Sequence, residues 1–431
     1  MNFNNKSNLF KHLKDKNVFI WGARMTGIGA LRQLKKEDIN VVSFIDSDPA
    51  FENNSVHGLF VKNPKDLKKI SNTYKSAVIL IAVSLKEDEI LQQLQDLDIH
   101  NLEIISFLDE NSPYYTIDIL GSCNLKCASC PHSLTDSSVP KGSMKFETFV
   151  KVFDKIILET PSISHISLYS WGEPLLHPYI DKIIDYVHER NVSVALSSNL
   201  SIKFENRIEK IIKSNPDYLK ISLSGFFPKA YNQTHEGGDI NLVKSNLRLL
   251  RKLIDKYKSN TLVDINYHLY RDNCGENLYK MKNFAKELNF IVSETFALIM
   301  PLERVFSHLK GSPDYQTKKL QDNLLVTIDE GINASSKYSL PKNSCPFREN
   351  QININSDLSI PVCCTVWERE NNVVAKNYLK TNLKEINYNK GKAEICKKCM
   401  NLKLPEYNMG FNKQGWKQYA KEKTITDIGD N

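Results

Sequence analysis

The chain has 431 residues, 41% hydrophobic and 25% charged, enough apolar content for two or three packed domains, which excludes a disordered polymer. No apolar run is long enough to span a bilayer, and Met1-Asn2-Phe3-Asn4-Asn5-Lys6 lacks an apolar signal segment, so no membrane partner is expected and the cytoplasm is the expected location. The net charge of +7 is mild and its lysines are spread along the chain; it reads as solvated surface, suits an acidic reductant or anionic substrate more weakly, and brings no basic, aromatic-interleaved appendage for nucleic acid.

Residues 1–110 have an α/β rhythm. An apolar run over 17–21 is followed by Gly22-Ala23-Arg24-Met25-Thr26-Gly27, a helical stretch to about residue 36, and a second apolar run over 41–45 ending in Asp46. Strand, glycine turn, helix, strand and acid outline a Rossmann-like half, and segments 77–83, 87–97 and 102–107 continue the alternation. Arg24 replaces the middle glycine of G-x-G-x-x-G, so its side chain stands where a pyrophosphate would approach the backbone. Two readings follow: Arg24 grips a phosphate and Asp46 a ribose hydroxyl, or the unit is a degenerate structural or docking domain. At the level of fold it resembles the Rossmann-like modules fused to bacterial sugar- and glycan-modifying enzymes.

A second βα series occupies residues 111–335, with apolar segments over 115–120, 165–169, 192–196, 218–223, 262–269 and 291–299 and helical patterns such as 146–158 and 180–189. Its first strand runs into Cys123, Cys127 and Cys130, a C-x3-C-x2-C spacing that holds a cubane [4Fe-4S] cluster by three thiolates and leaves one iron open. A zinc knuckle or buried thiols are the alternatives. This motif resembles that of the radical S-adenosylmethionine (SAM) enzymes, whose open iron is chelated by SAM and whose fold is a partial (β/α)6 TIM-type barrel. Ser129 stands where that family usually has an aromatic residue. The resemblance extends to the strand ends. Gly172, Glu173 and Pro174 match the G-E-P element, Ser198 and Asn199 the T-N-G element with Leu200 for its glycine, and Ser222 and Ser224 an S-L-S-G form, all of which it implies to be SAM contacts. Arg271 is the expected cation for a substrate or SAM carboxylate, with a surface salt bridge as its alternative. His235 and His268 read as structural.

A third cysteine group falls in residues 336–405: Cys345, Cys363, Cys364, Cys396 and Cys399, with a hairpin expected over 351–362 and a closing C-x2-C. It resembles the SPASM and shorter twitch extensions of radical SAM enzymes, which implies an auxiliary [4Fe-4S] cluster on Cys345, Cys363, Cys396 and Cys399, with Cys363 preferred over Cys364; structural zinc is the alternative. Cys274 is expected as a buried thiol, and 406–431 as a C-terminal tail.

The resemblance implies an α/β enzyme, an oxidoreductase that uses SAM, the open cluster and a flavodoxin- or ferredoxin-type reductant. Its expected substrate is a small molecule, a sugar, nucleotide-linked sugar or polyol, with the auxiliary cluster taking the second electron. A peptide- or protein-modifying maturase of the SPASM kind is the second reading, and a non-enzymatic metal-stabilised scaffold the third.

Overall fold

The computed structural model describes residues 5–97, 102–108, 113–133, 140–338, 340 and 344–424. The expected boundary at 110–111 and the last residues of the chain lie outside them. Asn17–Trp21 (β1), Val41–Ile45 (β2), Ser55–Val56 (β3), Leu59–Lys62 (β4), Ala77–Ile81 (β5) and Glu103–Ser106 (β6) form a sheet in the order β3-β4-β2-β1-β5-β6. All named pairings are parallel except β3 with β4. All five residues of β5 are buried, as its unbroken apolar run requires. Beyond β1 the chain turns at Gly22 with φ +111°, and a Cβ there would lie 2.7 Å from the Ala82 carbonyl oxygen; only glycine suits that turn.

Tyr114–Ile117 (β7), His165–Ser167 (β8), Ser193–Ser198 (β9), Tyr218–Leu223 (β10), Leu262–Leu269 (β11) and Ile291–Phe296 (β12) are the six parallel strands of the partial barrel. Strand alternation divides their side chains: Leu219, Ile221 and Leu223 join the large core, while Tyr218 packs with the N-terminal unit. A seventh strand, Gln351–Ile354 (β13), pairs in parallel with β7. The hairpin expected over 351–362 is therefore modified. The chain does reverse, with the Asn355 N–H donating to the Ser359 carbonyl at 3.0 Å, but its arms pair outward, β13 with the barrel and Ile360–Pro361 (β14) with Val373–Ala375 (β15). Extending a sheet pairs the backbone of β13 and buries Ile352 and Ile354 in the barrel core.

The segment expected as a tail forms two helices through residue 421, Leu404–Met409 and Lys413–Lys421. Trp416, buried, donates from Nε1 to Ser335 Oγ and to the Phe411 carbonyl, each at 3.0 Å, fixing the last helix on Ile328–Ser336.

The carboxyl edge of the first sheet faces the amino ends of the barrel strands. Asp217, just before β10, ties the two units together: it accepts from Arg32 Nη2, His188 Nε2 and the Val194 N–H, each at 2.8 Å. Burial pushes its carboxyl up, but His188 and Arg32 outweigh burial and hold it at about 2. A depressed carboxyl contributes stability that is present above its ordinary value near 4 and lost as pH falls through about 2. Asp217→Asn is expected to lower stability by about 2–3 kcal/mol at pH 7 in urea titrations, with the gap from the parent protein narrowing below pH 4. A gap that stays constant from pH 7 to pH 3 contradicts this role.

Candidate functional site

The loops that follow β7, β8, β9 and β10 meet at the carboxyl ends of the barrel strands. The loop after β7 carries Cys123, Cys127 and Cys130, with the Cys130 N–H donating to the Cys127 carbonyl at 2.8 Å. The Glu173 N–H donates to the Ser122 carbonyl at 2.9 Å and the Lys126 N–H to the Glu236 carbonyl at 3.0 Å, so the loops after β8 and β10 clamp it from both sides. Gly172 is required at this crossing because a Cβ there would lie 1.6 Å from the Leu120 carbonyl oxygen.

The motif residues separate by what their side chains touch. Asn199 reaches the cysteine loop, donating from Nδ2 to Asn124 Oδ1 at 3.0 Å and to Cys123 Sγ at 3.6 Å. Glu173 is buried and turned inward: its carboxylate accepts from the Asn199 N–H at 2.8 Å and the Leu175 N–H at 3.1 Å, so it braces the Asn199 turn. Burial pushes its carboxyl up to about 7. Ser198 Oγ accepts from the Leu200 N–H at 2.9 Å, and Leu200, fully buried, sits at φ +53°, the conformation for which glycine is the usual residue. Ser224 is bonded to His235 Nδ1 at 2.8 Å and to Thr234, while Ser222 lies beside Ser197 at 3.4 Å. The hydroxyls of Ser198 and Ser224 thus have protein partners. Pro174 is buried at the start of a 3-10 turn. Arg271 is exposed, donates from Nε to the Leu324 carbonyl at 3.0 Å, and lies outside the large cavity described below.

Three residues outside the expected ligand and SAM-contact sets support the cysteine loop. Arg304, buried, donates from Nη1 to the Ala128 carbonyl at 3.0 Å, and among the described residues its Nη2 has no partner. His132 and Trp171 both pack edge-on against Trp367, 5.5 and 5.6 Å between ring centroids, joining the loops after β7 and β8 to the C-terminal unit. Arg304 lies far along the chain from Ala128, so no local pattern announces it.

The donor set fits a cubane cluster. Cys123 Sγ accepts from the Leu125 N–H at 3.4 Å and from Asn199, the kind of donors that stabilise a cluster sulfur. Burial pushes Cys123 up to about 12 and Cys130 up to about 11, so metal binding must displace thiol protons. Cys345, Cys363, Cys396 and Cys399 line one largely apolar cavity with Phe347 and Ile395, whereas Cys364 lines a separate one beside Trp367. A hydrogen bond from Cys364 holds the Cys363 thiol below its ordinary range. Lys390, buried beside these cysteines, donates to the Arg348 carbonyl at 3.0 Å and to the Gln351 carbonyl, a cation suited to a cluster of thiolates. Among the described residues, no three His, Cys, Asp or Glu side chains gather as they would around a single ion; the thiols border a space instead. Cys274 is half-buried, with its Sγ 3.0 Å from the Tyr270 carbonyl.

Residues 117–268 match the family described as Radical SAM superfamily, and residues 14–105 the family described as C2185-like, N-terminal. The chain is 27% identical over 188 residues to AdoMet-dependent heme synthase of Methanosarcina barkeri, covering 42% of this chain and 49% of that protein. It is 24% identical over 197 residues to GTP 3',8-cyclase of Limosilactobacillus fermentum, covering 44% and 54%. The matches thus span about half the length of these curated relatives. Among solved structures, anSMEcpe with bound AdoMet aligns at a TM-score of 0.45 and 16% identity over 72% of this chain and 94% of that one. No described helix is long and apolar enough to cross a membrane. The cysteine loop, the parallel barrel and the family match coincide over the same residues: residues 117–268 form a radical SAM domain, the family whose members use a [4Fe-4S] cluster and S-adenosylmethionine.

Proposed function

We propose that this enzyme oxidises a sugar, nucleotide-linked sugar or polyol, with Cys123, Cys127 and Cys130 holding the SAM-binding cluster and Cys345, Cys363, Cys396 and Cys399 an auxiliary [4Fe-4S] cluster. Bound together, the first cluster and SAM supply a 5′-deoxyadenosyl radical that takes hydrogen from an unactivated C–H bond. The chain's own residues hold and shield the reactants. Asn199 and the Leu125 amide orient Cys123, Gly172 lets the loop after β8 approach the SAM side, and Arg304 anchors the Ala128 carbonyl. The observation that carries the substrate class is the polar lining of the barrel: Ser197 with Ser222, and Asn266 Nδ2 donating to Thr295 Oγ1 at 2.9 Å, present hydroxyl and amide groups suited to a polyhydroxylated molecule.

The test is Cys399→Ala. SAM cleavage without substrate is expected to stay within about threefold of the parent, while substrate oxidation falls at least a hundredfold, because a complete auxiliary cluster is assigned to the second electron and has no part in radical generation. A thermal melt must accompany the assay, since losing a metal ligand can unfold a small metal-supported unit. A folded variant that cleaves SAM and still yields full oxidised product would sink the electron-acceptor role.

A further inference from the structure

The carboxyl edge of the first sheet, strands β11 and β12 of the barrel and the helix Lys413–Lys421 enclose a cavity of about 650 Å³. That volume suits a ligand of metabolite size, and one wall is the place where open α/β sheets bind ligands, outside the strand ends where the order reverses between β1 and β5. Arg24 lines this cavity but is committed: its Nε lies 2.9 Å from Asp264 Oδ2, and its Nη2 lies 2.7 Å from both Asp48 Oδ2 and Ser293 Oγ. Three other cations remain, Lys86 on the first sheet's edge and Lys413 and Lys417 one turn apart on the last helix. Lys86 Nζ is 3.1 Å from the Gly410 carbonyl and 3.4 Å from Glu89. Burial pushes its ammonium down, Glu89 offsets part of this, and Lys413 adds a smaller repulsion. Five acids share these walls and each already faces a cation: Asp46, Asp48 and Asp264 surround Arg24, Glu89 faces Lys86 and Glu294 bonds Lys282, while Lys413 also attracts Asp48. At the deep end lie Asn266 and Ser293, and Asn266 Oδ1 bonds His268 Nε2 at 2.8 Å, continuing the polar lining toward the carboxyl ends of the barrel.

We propose that this cavity binds the phosphorylated end of the substrate, its phosphate oxygens between Lys86, Lys413 and Lys417 and its hydroxylated remainder directed to Asn266 inside the barrel. This deepens the sugar or polyol reading and rests on it. A phosphate ester is the shared chemistry, carried by a simple sugar phosphate or by a nucleoside diphosphate sugar.

Calorimetric titration of the full chain, without SAM or reductant, uses UDP, pyrophosphate and glucose 6-phosphate, with uridine and glucose as uncharged controls. At least one phosphorylated probe is expected to bind and the controls not to. Lys413→Gln is expected to weaken binding roughly tenfold, and Lys86→Gln with Lys413→Gln roughly a hundredfold. Preference for UDP assigns a nucleotide-linked substrate, and preference for glucose 6-phosphate a simple sugar phosphate. Should Lys86→Gln lower the melting temperature, the solvent-facing Lys413→Gln and the Lys417→Gln variant carry the test. The site is overturned if no phosphorylated probe binds, or if Lys413→Gln and Lys417→Gln leave the dissociation constant unchanged. A protein that binds phosphate yet forms no 5′-deoxyadenosine overturns the radical reading alone, whereas SAM cleavage without phosphate binding overturns only this site.

Discussion

Changing Cys123, Cys127 and Cys130 together to alanine is expected to halve the iron of the anaerobically reconstituted protein, from about eight to about four atoms per chain, and to abolish formation of 5′-deoxyadenosine from SAM and dithionite. The three residues share one loop after β7, while Cys345, Cys363, Cys396 and Cys399 line a separate cavity, so losing one set leaves the other intact. Iron and sulfide analysis with product chromatography checks both parts. A triple variant that keeps full iron, or a parent protein that binds zinc stoichiometrically, contradicts the two-cluster assignment. Asn199→Ala should separate holding from binding: Nδ2 reaches Cys123 Sγ without being a ligand, so SAM affinity should fall with little change in iron.

Arg24→Met is expected to cost about 3–5 kcal/mol in urea unfolding, because it removes the cation from among Asp46, Asp48 and Asp264. Asp264 is only 1% exposed and would keep just the hydroxyls of Tyr218 and Ser293. Adding Asp264→Asn to Arg24→Met should recover part of the loss, the mark of a coupled pair. A loss below about 0.5 kcal/mol for the single variant would show that the junction does not depend on this residue. The geometry revises one of the two readings of the glycine turn. Arg24 does not extend toward a free phosphate; it crosses to the barrel, and Asp46 accepts the Ala23 N–H at 3.0 Å and lies 3.7 Å from Arg24 Nη1. In this structure the turn is a docking element.

The sequence by itself determined the elements whose signals are local. The apolar runs at 17–21, 41–45, 218–223 and 262–269 are β1, β2, β10 and β11 to the residue, because core-facing strand positions must be apolar: nearly every position in β1, alternate ones such as Leu219, Ile221 and Leu223 in β10 and Val263, Ile265 and Tyr267 in β11. The C-x3-C-x2-C spacing and the C-x2-C of Cys396 and Cys399 were equally legible, since a cluster fixes the spacing of its nearest ligands. The short antiparallel pair β3 and β4 was missed, being too brief to carry a period. Tertiary structure alone decided the rest. It gave Arg24 to Asp264, 240 positions away, Arg304 to Ala128, and β13 to β7, and it placed Cys363 but not Cys364 on the wall of the cavity that Cys345, Cys396 and Cys399 line. It also turned residues 413–421 into a wall of the cavity. Patterning records which face of an element is apolar; which distant element covers that face depends on packing and on polar groups that must find partners once buried.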